Sequence, residues 1–159
     1  MGSRLEQNNA YIAGFLDGDG SLMLQVKSRA DTARGVRFMA TICLYQDSRH
    51  SEPLVWMQEV LGCGYLSKRK DTMTELRING FTQVKQVLIA LRPYIRFKVK
   101  QTDALITACA MLEKTTLRDM PESTLRTLVD LLFVIKQENY KSANALTKDI
   151  VLQRLGLTP

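Results

Sequence analysis

Residues 8–21 read Asn8-Asn9-Ala10-Tyr11-Ile12-Ala13-Gly14-Phe15-Leu16-Asp17-Gly18-Asp19-Gly20-Ser21. The stretch is read as a short helix from Asn8 to Asp19, capped by Asn8 or Asn9 and ended by the glycines around Gly18 and Gly20. Glycine inside a helix costs about 1 kcal/mol relative to alanine, so Gly14 and Gly18 must be favoured by something else. With Ala10 they form a stripe of small residues at a spacing of four, while Tyr11, Ile12, Phe15 and Leu16 form a bulky face around the side. The bulky face can bury in its own domain, and the small one admits the backbone of another helix. That helix belongs either to this chain or to a second copy.

Outward from this helix the period changes to two. Leu22, Leu24 and Val26 alternate with Met23, Gln25 and Lys27, which reads as a strand. A polar loop through Arg29 and Asp31 leads to a second strand, where Val36, Phe38, Ala40, Ile42 and Leu44 alternate with Arg37, Met39, Thr41, Cys43 and Tyr45. Ser51-Glu52-Pro53 opens a helix carrying Leu54, Val55, Met57, Val60 and Leu61, with Gly62 and Gly64 as stop signals. Tyr65–Lys70 and Met73–Asn79 form a hairpin around Asp71-Thr72, and Thr82–Leu91 is helical with Pro93 beyond its end. The order is helix, two strands, helix, two strands, helix. Three further helical patterns cover Leu105–Leu112, Leu125–Ile135 and Leu146–Leu155.

The expected fold is therefore α+β, with an αββαββα core, a four-stranded antiparallel sheet, helices on its other face and extra C-terminal helices. At 159 residues the chain is sized for a single domain over 1–159. Within it, 1–7 read as an expression leftover or unstructured start, 8–105 as the core and 106–159 as the C-terminal helices. There is no run of 18 apolar residues, so no membrane partner is expected. Cys43, Cys63 and Cys109 are odd in number and widely spaced, which fits neither a disulfide framework nor a paired-cysteine metal site.

Charge is uneven. Residues 21–100 carry 14 Lys and Arg against 6 Asp and Glu, a balance of +8 that leaves −2 for both ends of a chain of net charge +6, so the positive charge sits in the middle segment. A polyanion is its natural partner. The open sheet face is expected to carry Gln25, Lys27, Arg29, Arg37, Met39, Thr41, Tyr65, Ser67, Arg69, Glu75 and Arg77. Such a face is either plainly solvated or suited to a DNA major groove, where Arg and Gln read base edges and Lys neutralises phosphate. Asp17 and Asp19, bracketed by Gly18 and Gly20, sit where the helix dipole is negative and carbonyls lack partners. That end invites a cation, although Asp-Gly-Asp-Gly also makes ordinary turns.

The stretch Tyr11–Ser21 resembles the LAGLIDADG motif of homing endonucleases, in the form found in single-motif homodimeric enzymes of organellar introns. The similarity continues through Gly64-Tyr65 and through Leu91-Arg92-Pro93-Tyr94-Ile95-Arg96-Phe97-Lys98-Val99-Lys100-Gln101, spanning roughly residues 9 to 105. The resemblance implies a homodimer whose motif helices pack together through Ala10, Ala13, Gly14, Asp17 and Gly18, with the two sheets tracking double-stranded DNA. It implies metal-dependent hydrolysis of both strands of a long pseudo-palindromic target, and thereby intron mobility. Metal falls to Asp19 and the carbonyl of Gly18, with Mg²⁺ as the ion, Mn²⁺ as a substitute and Ca²⁺ supporting binding without fast cleavage. Gln46, Lys98, His50 and Arg49 are implied as the other catalytic-pocket residues, with no organic cofactor. His50 departs from the Arg or Lys usual at its position. The implied setting is a chloroplast or mitochondrion. An intron-splicing maturase and a non-cleaving DNA-binding regulator are the alternatives carried by the same fold.

Overall fold

The structure is a computed structural model and describes residues 2–139 and 146–159. Helix α1 spans Arg4–Asp19, β1 Gly20–Ser28 and β2 Val36–Asp47. Helix α2 is Glu52–Leu61, β3 Tyr65–Lys68, β4 Met73–Asn79 and α3 Phe81–Leu91, followed by α4 at Val99–Lys114, α5 at Glu122–Glu138 and α6 at Lys148–Arg154. The αββαββα order and the three C-terminal helices match the expectation.

Helix α1 begins four residues earlier than Asn8. Ser3 forms a capping box with Glu6: the Ser3 hydroxyl accepts from Glu6 N–H at 3.2 Å, and the Glu6 carboxylate accepts from Ser3 N–H. This reciprocal arrangement satisfies two orphan donors and starts the helix inside the stretch read as unstructured. At the other end α1 runs through Gly18 to Asp19 and turns directly into β1 at Gly20. A Cβ at Gly20 would sit 2.8 Å from the Leu16 carbonyl oxygen and 2.5 Å from Leu16 Cδ1, so only glycine lets the strand leave so close to the helix. By contrast, a Cβ at Gly14 or Gly18 would meet nothing within 4 Å.

The four strands form one antiparallel sheet in the order β1-β2-β4-β3. Leu22, Leu24, Val26, Val36, Phe38, Ala40, Ile42, Leu44, Leu76 and Ile78 point into the core as their alternation requires. Ile12, Ala13 and Leu16 of α1 join them, with Leu88 and Leu91 of α3, Leu105 of α4 and Leu128, Val129 and Leu132 of α5. Helix α2 ends at Gly62, which takes the left-handed conformation at φ 67°.

Other boundaries differ as well. The second hairpin has a shorter first strand ending at Lys68, because Thr72 adopts φ 64° and the turn takes up residues 69–72. Helix α4 starts at Val99, so the core boundary expected at residue 105 falls inside a continuous helix whose first turn belongs to the basic run. The last helix begins at Lys148 with Thr147 as its cap, two residues after Leu146.

Candidate active site and nucleic-acid interface

Asp17 and Asp19 lie two residues apart on α1, which turns their side chains about 200° from one another. Asp17 is buried, and its carboxylate accepts backbone N–H groups from Arg96 (2.7 Å), Phe97 (3.2 Å) and Lys98 (3.0 Å). The Lys98 ammonium donates to the Asp17 carbonyl at 2.6 Å, which brings that charge to the last turn of α1. Asp17 is thus engaged inside its own chain, at the junction of α1 with the loop before α4. Asp19 is exposed.

Asp19, Tyr45, Gln46, Arg69, Asp71 and Met73 line a hollow of about 380 Å³ where the end of β2 meets the β3–β4 turn. The Tyr45 hydroxyl lies 2.9 Å from Ser21 Oγ, and burial pushes the phenol's pKa up. Arg69 sits 5.7 Å over the Tyr45 ring and pairs with Asp71 at 2.9 Å. The Gln46 side-chain oxygen accepts from Asp47 N–H at 2.9 Å, leaving its NH₂ available to donate. Asp19 and Gln46 thus line the same hollow. Tyr45, Asp71 and Met73 were missed. The alternation that puts Tyr45 on the open face carried the signal for it, whereas nothing local marked Asp71 or Met73.

Arg49 and His50 are exposed and do not line this hollow. Arg49 is held by Asp47 through Nε at 3.0 Å and Nη2 at 2.9 Å, and lines a neighbouring hollow with Lys68, Arg69 and Lys70. The same pairing pulls the Asp47 carboxyl down to about 2.

On the open sheet face the register sets Lys27 beside Arg37, Gln25 beside Met39, Cys43 beside Arg77, and Tyr65 on the other side of Arg77. Tyr45, Glu75 and Ser67 form the next row. Lys27, Arg37, Tyr65 and Arg69 are exposed, and Gln25, Met39, Ser67 and Arg77 half-buried. Arg29 lies beyond β1 in the β1–β2 loop, paired with Asp31 at 2.7 Å.

Two expected readers are already engaged by the protein. Thr41 is buried and donates to Asn79 Oδ1 at 2.8 Å, and Asn79 donates in turn to the Tyr65 hydroxyl at 3.3 Å. Glu75 is 7% exposed and lies 3.4 Å from Arg77 and 4.0 Å from Arg69. Ala10, Gly14 and Gly18 are exposed along α1, whereas Ala13 is fully buried in the chain's own core and offers nothing to a partner. Phe97, in the loop held by Asp17, is 86% exposed.

As ligands, the described residues contain no cluster of three or more His, Cys, Asp or Glu that could hold a metal by themselves. What the end of α1 offers is one exposed carboxylate, Asp19, and the carbonyl of Gly18, whose helical partner four residues on would be Leu22, already in β1. This donor set fits a Mg²⁺-type ion, which is held by one or two carboxylates and completes its shell with water and substrate phosphate.

The profile of the LAGLIDADG endonuclease family matches residues 12–111. DNA endonuclease I-CvuI of Chlorella vulgaris is 31% identical over 106 residues, which are 67% of this chain and 66% of the relative. DNA endonuclease I-CreI of Chlamydomonas reinhardtii is 23% identical over 148 residues, 92% and 89% of the two chains. The crystal structure of I-CvuI in complex with its target in the presence of Ca superposes with a TM-score of 0.85 at 25% identity, covering 98% of both chains. An archaeal intron-encoded homing endonuclease, I-Vdi141I, complexed with DNA, shares the fold at a TM-score of 0.81 and 21% identity, over 95% of this chain and 96% of that one. With the motif helix, the four-stranded sheet and the exposed Asp19 in one arrangement, the chain belongs to the LAGLIDADG endonuclease family.

Proposed function

We propose that this chain is a homing endonuclease that cuts both strands of a long, approximately palindromic double-stranded DNA target as a homodimer. The observation that carries the reading is the placement of Asp19: it is the carboxylate left free at the end of α1, at one end of a basic sheet face. One motif makes one such site, so cutting two strands needs two chains, and two-fold protein symmetry is mirrored in the DNA half-sites. The open flank of Ala10, Gly14 and Gly18, continued by exposed Phe97, supports contact with a second copy at this helix.

Asp19 and the Gly18 carbonyl hold the divalent ion, Mg²⁺, with Mn²⁺ as a substitute and Ca²⁺ supporting binding without fast cutting. Bound there, such an ion supplies an acidified water and neutralises charge on the scissile phosphate. Gln46 donates its amide to order water beside the phosphate. Lys98, braced on the Asp17 carbonyl, places an ammonium where phosphate charge develops. Lys27, Arg37, Arg69 and Arg77 face the DNA, and the biological setting is an organellar intron. Splicing support or non-cleaving regulation would leave Asp19 without a task.

The test is Asp19→Asn, which keeps shape and removes charge. Mg²⁺-dependent cutting of duplexes selected by the wild-type protein should vanish, while binding of the same duplexes in Ca²⁺ is retained. Cutting at the wild-type rate by Asp19→Asn would overturn the mechanism.

A further inference from the structure

The β1–β2 loop is held in place from outside the core. Arg34 points away from the reading face and donates through Nε to the Leu117 carbonyl at 2.9 Å and through Nη1 to the Leu155 carbonyl at 2.7 Å. Leu117 lies in the α4–α5 connection, and Leu155 is the C-cap of α6. Carbonyls at a helix C-terminus lack helical partners and sit at the negative end of the dipole, so a guanidinium there is doubly favoured. The planar fork fixes direction as well as distance, because its donors are set relative to one another.

The loop is also braced within itself. Arg29 N–H donates to the Gly35 carbonyl at 2.8 Å, and the Thr32 hydroxyl lies 3.0 Å from the carbonyls of both Arg29 and Val36. Gly35 takes φ 67°, which lets the chain reverse directly after Arg34. The product is a hydrogen-bonded tip with Arg29 and Asp31 outward and Arg34 inward. It stands at the far end of β1 from Asp19: the eight steps from Gly20 to Ser28 span about 26 Å. On DNA lying along the strands that is about eight base pairs from the cut.

We infer that Arg34 is a specificity-positioning residue, through which the C-terminal helices hold the β1–β2 loop against the outer base pairs of each half-site. This rests on the endonuclease reading above. It assigns α6 a role in recognition, although that helix carries none of the residues placed in the cutting site or on the reading face.

The test compares wild type, Arg34→Ala and Arg34→Lys. Base preference is read from the products that each cuts out of a randomised duplex library, and hydrogen exchange is measured at residues 29–35 without DNA. Arg34→Ala should speed exchange in that loop by about tenfold. It should also lower discrimination at the outer base pairs from about tenfold towards onefold, while preference next to the cut is kept. Arg34→Lys, which keeps the charge but not the fork, should fall between the two. Loop exchange unchanged in Arg34→Ala, a preference profile lowered uniformly along the site, or full recovery by lysine would each overturn the inference. A wild-type protein that cuts no duplex, with the exchange effect present, would instead overturn the endonuclease reading and leave the loop brace standing.

Discussion

Asp17 and Lys98 hold each other in both directions: the Asp17 carboxylate accepts the Lys98 backbone N–H at 3.0 Å, and the Lys98 ammonium donates to the Asp17 carbonyl at 2.6 Å. Together with the N–H groups of Arg96 and Phe97, this locks the loop before α4 onto the last turn of α1. Replacing Asp17 with Ala leaves three N–H donors without their acceptor, at a cost of about 3 kcal/mol. Thermal unfolding should fall by about 10 °C in a chain of this size, and cutting should fail with it. Asp19→Asn should leave unfolding within about 2 °C of wild type, since its carboxylate is exposed. Equal losses of stability in the two variants would contradict the division of labour between these aspartates.

The stripe on α1 makes a second prediction. Because Gly14 is exposed and a Cβ there meets nothing within 4 Å in its own chain, Gly14→Leu is expected to leave the isolated fold intact. Leucine there gains helix propensity over glycine, so helical content by circular dichroism should hold or rise. Association should nonetheless fail, and sedimentation should show a monomer that no longer cuts both strands. A wild-type monomer with full double-strand cutting would remove the homodimer.

Glu75 restrains two of the arginines proposed to face DNA, Arg77 at 3.4 Å and Arg69 at 4.0 Å. Arg77 Nε is also buried and makes no hydrogen bond within the described residues. Glu75→Gln keeps the shape and removes a negative charge from the reading face. Non-specific DNA affinity should rise, the salt dependence should steepen by about one unit, and discrimination among targets should fall. Unchanged salt dependence would show that this carboxylate does not act on the bound duplex.

Burial separates the three thiols. Cys109 is fully buried between α3 and α5, and its pKa is pushed up to about 12; Cys43 is raised for the same reason, and half-buried Cys63 is raised as well. At pH 8 only about one Cys109 in ten thousand is thiolate, so a native-state alkylating reagent should modify Cys63 first and spare Cys43 and Cys109. A folded pKa above the unfolded value means that the fold favours the neutral thiol. The stability that Cys109 contributes is therefore present below about pH 9 and declines as pH rises from there towards about 12. Rapid labelling of Cys109 in folded protein would contradict its burial.

The order of elements was legible in residues 8–91 because each is written in local periodicity. Leu22, Leu24 and Val26 must share one face of any strand, and Leu54 and Met57 must share one face of any helix. The motif at Tyr11–Ser21 and the charge of residues 21–100 likewise lie in contiguous sequence, so the family and a basic sheet could be read from them directly. The start of α1 was also local, in Ser3 and Glu6, and was missed because the opening residues were discounted as a leftover.

What only the tertiary structure decided are the contacts between distant parts of the chain. The motif marks Asp19 for metal, but what holds Asp17 is decided by residues 96–98, folded back about eighty positions later, which take Asp17 and leave Asp19 exposed. Thr41 and Glu75 have the alternation of open-face residues, yet both are buried, Thr41 bonded to Asn79 on β4 and Glu75 set beside Arg77 and Arg69. Arg69 and Asp71 come to Asp19 through the order β1-β2-β4-β3, and Arg49 is kept from it by Asp47. Periodicity sets which way a side chain points, but which groups then meet depends on how the elements pack, and no window of adjacent residues contains that.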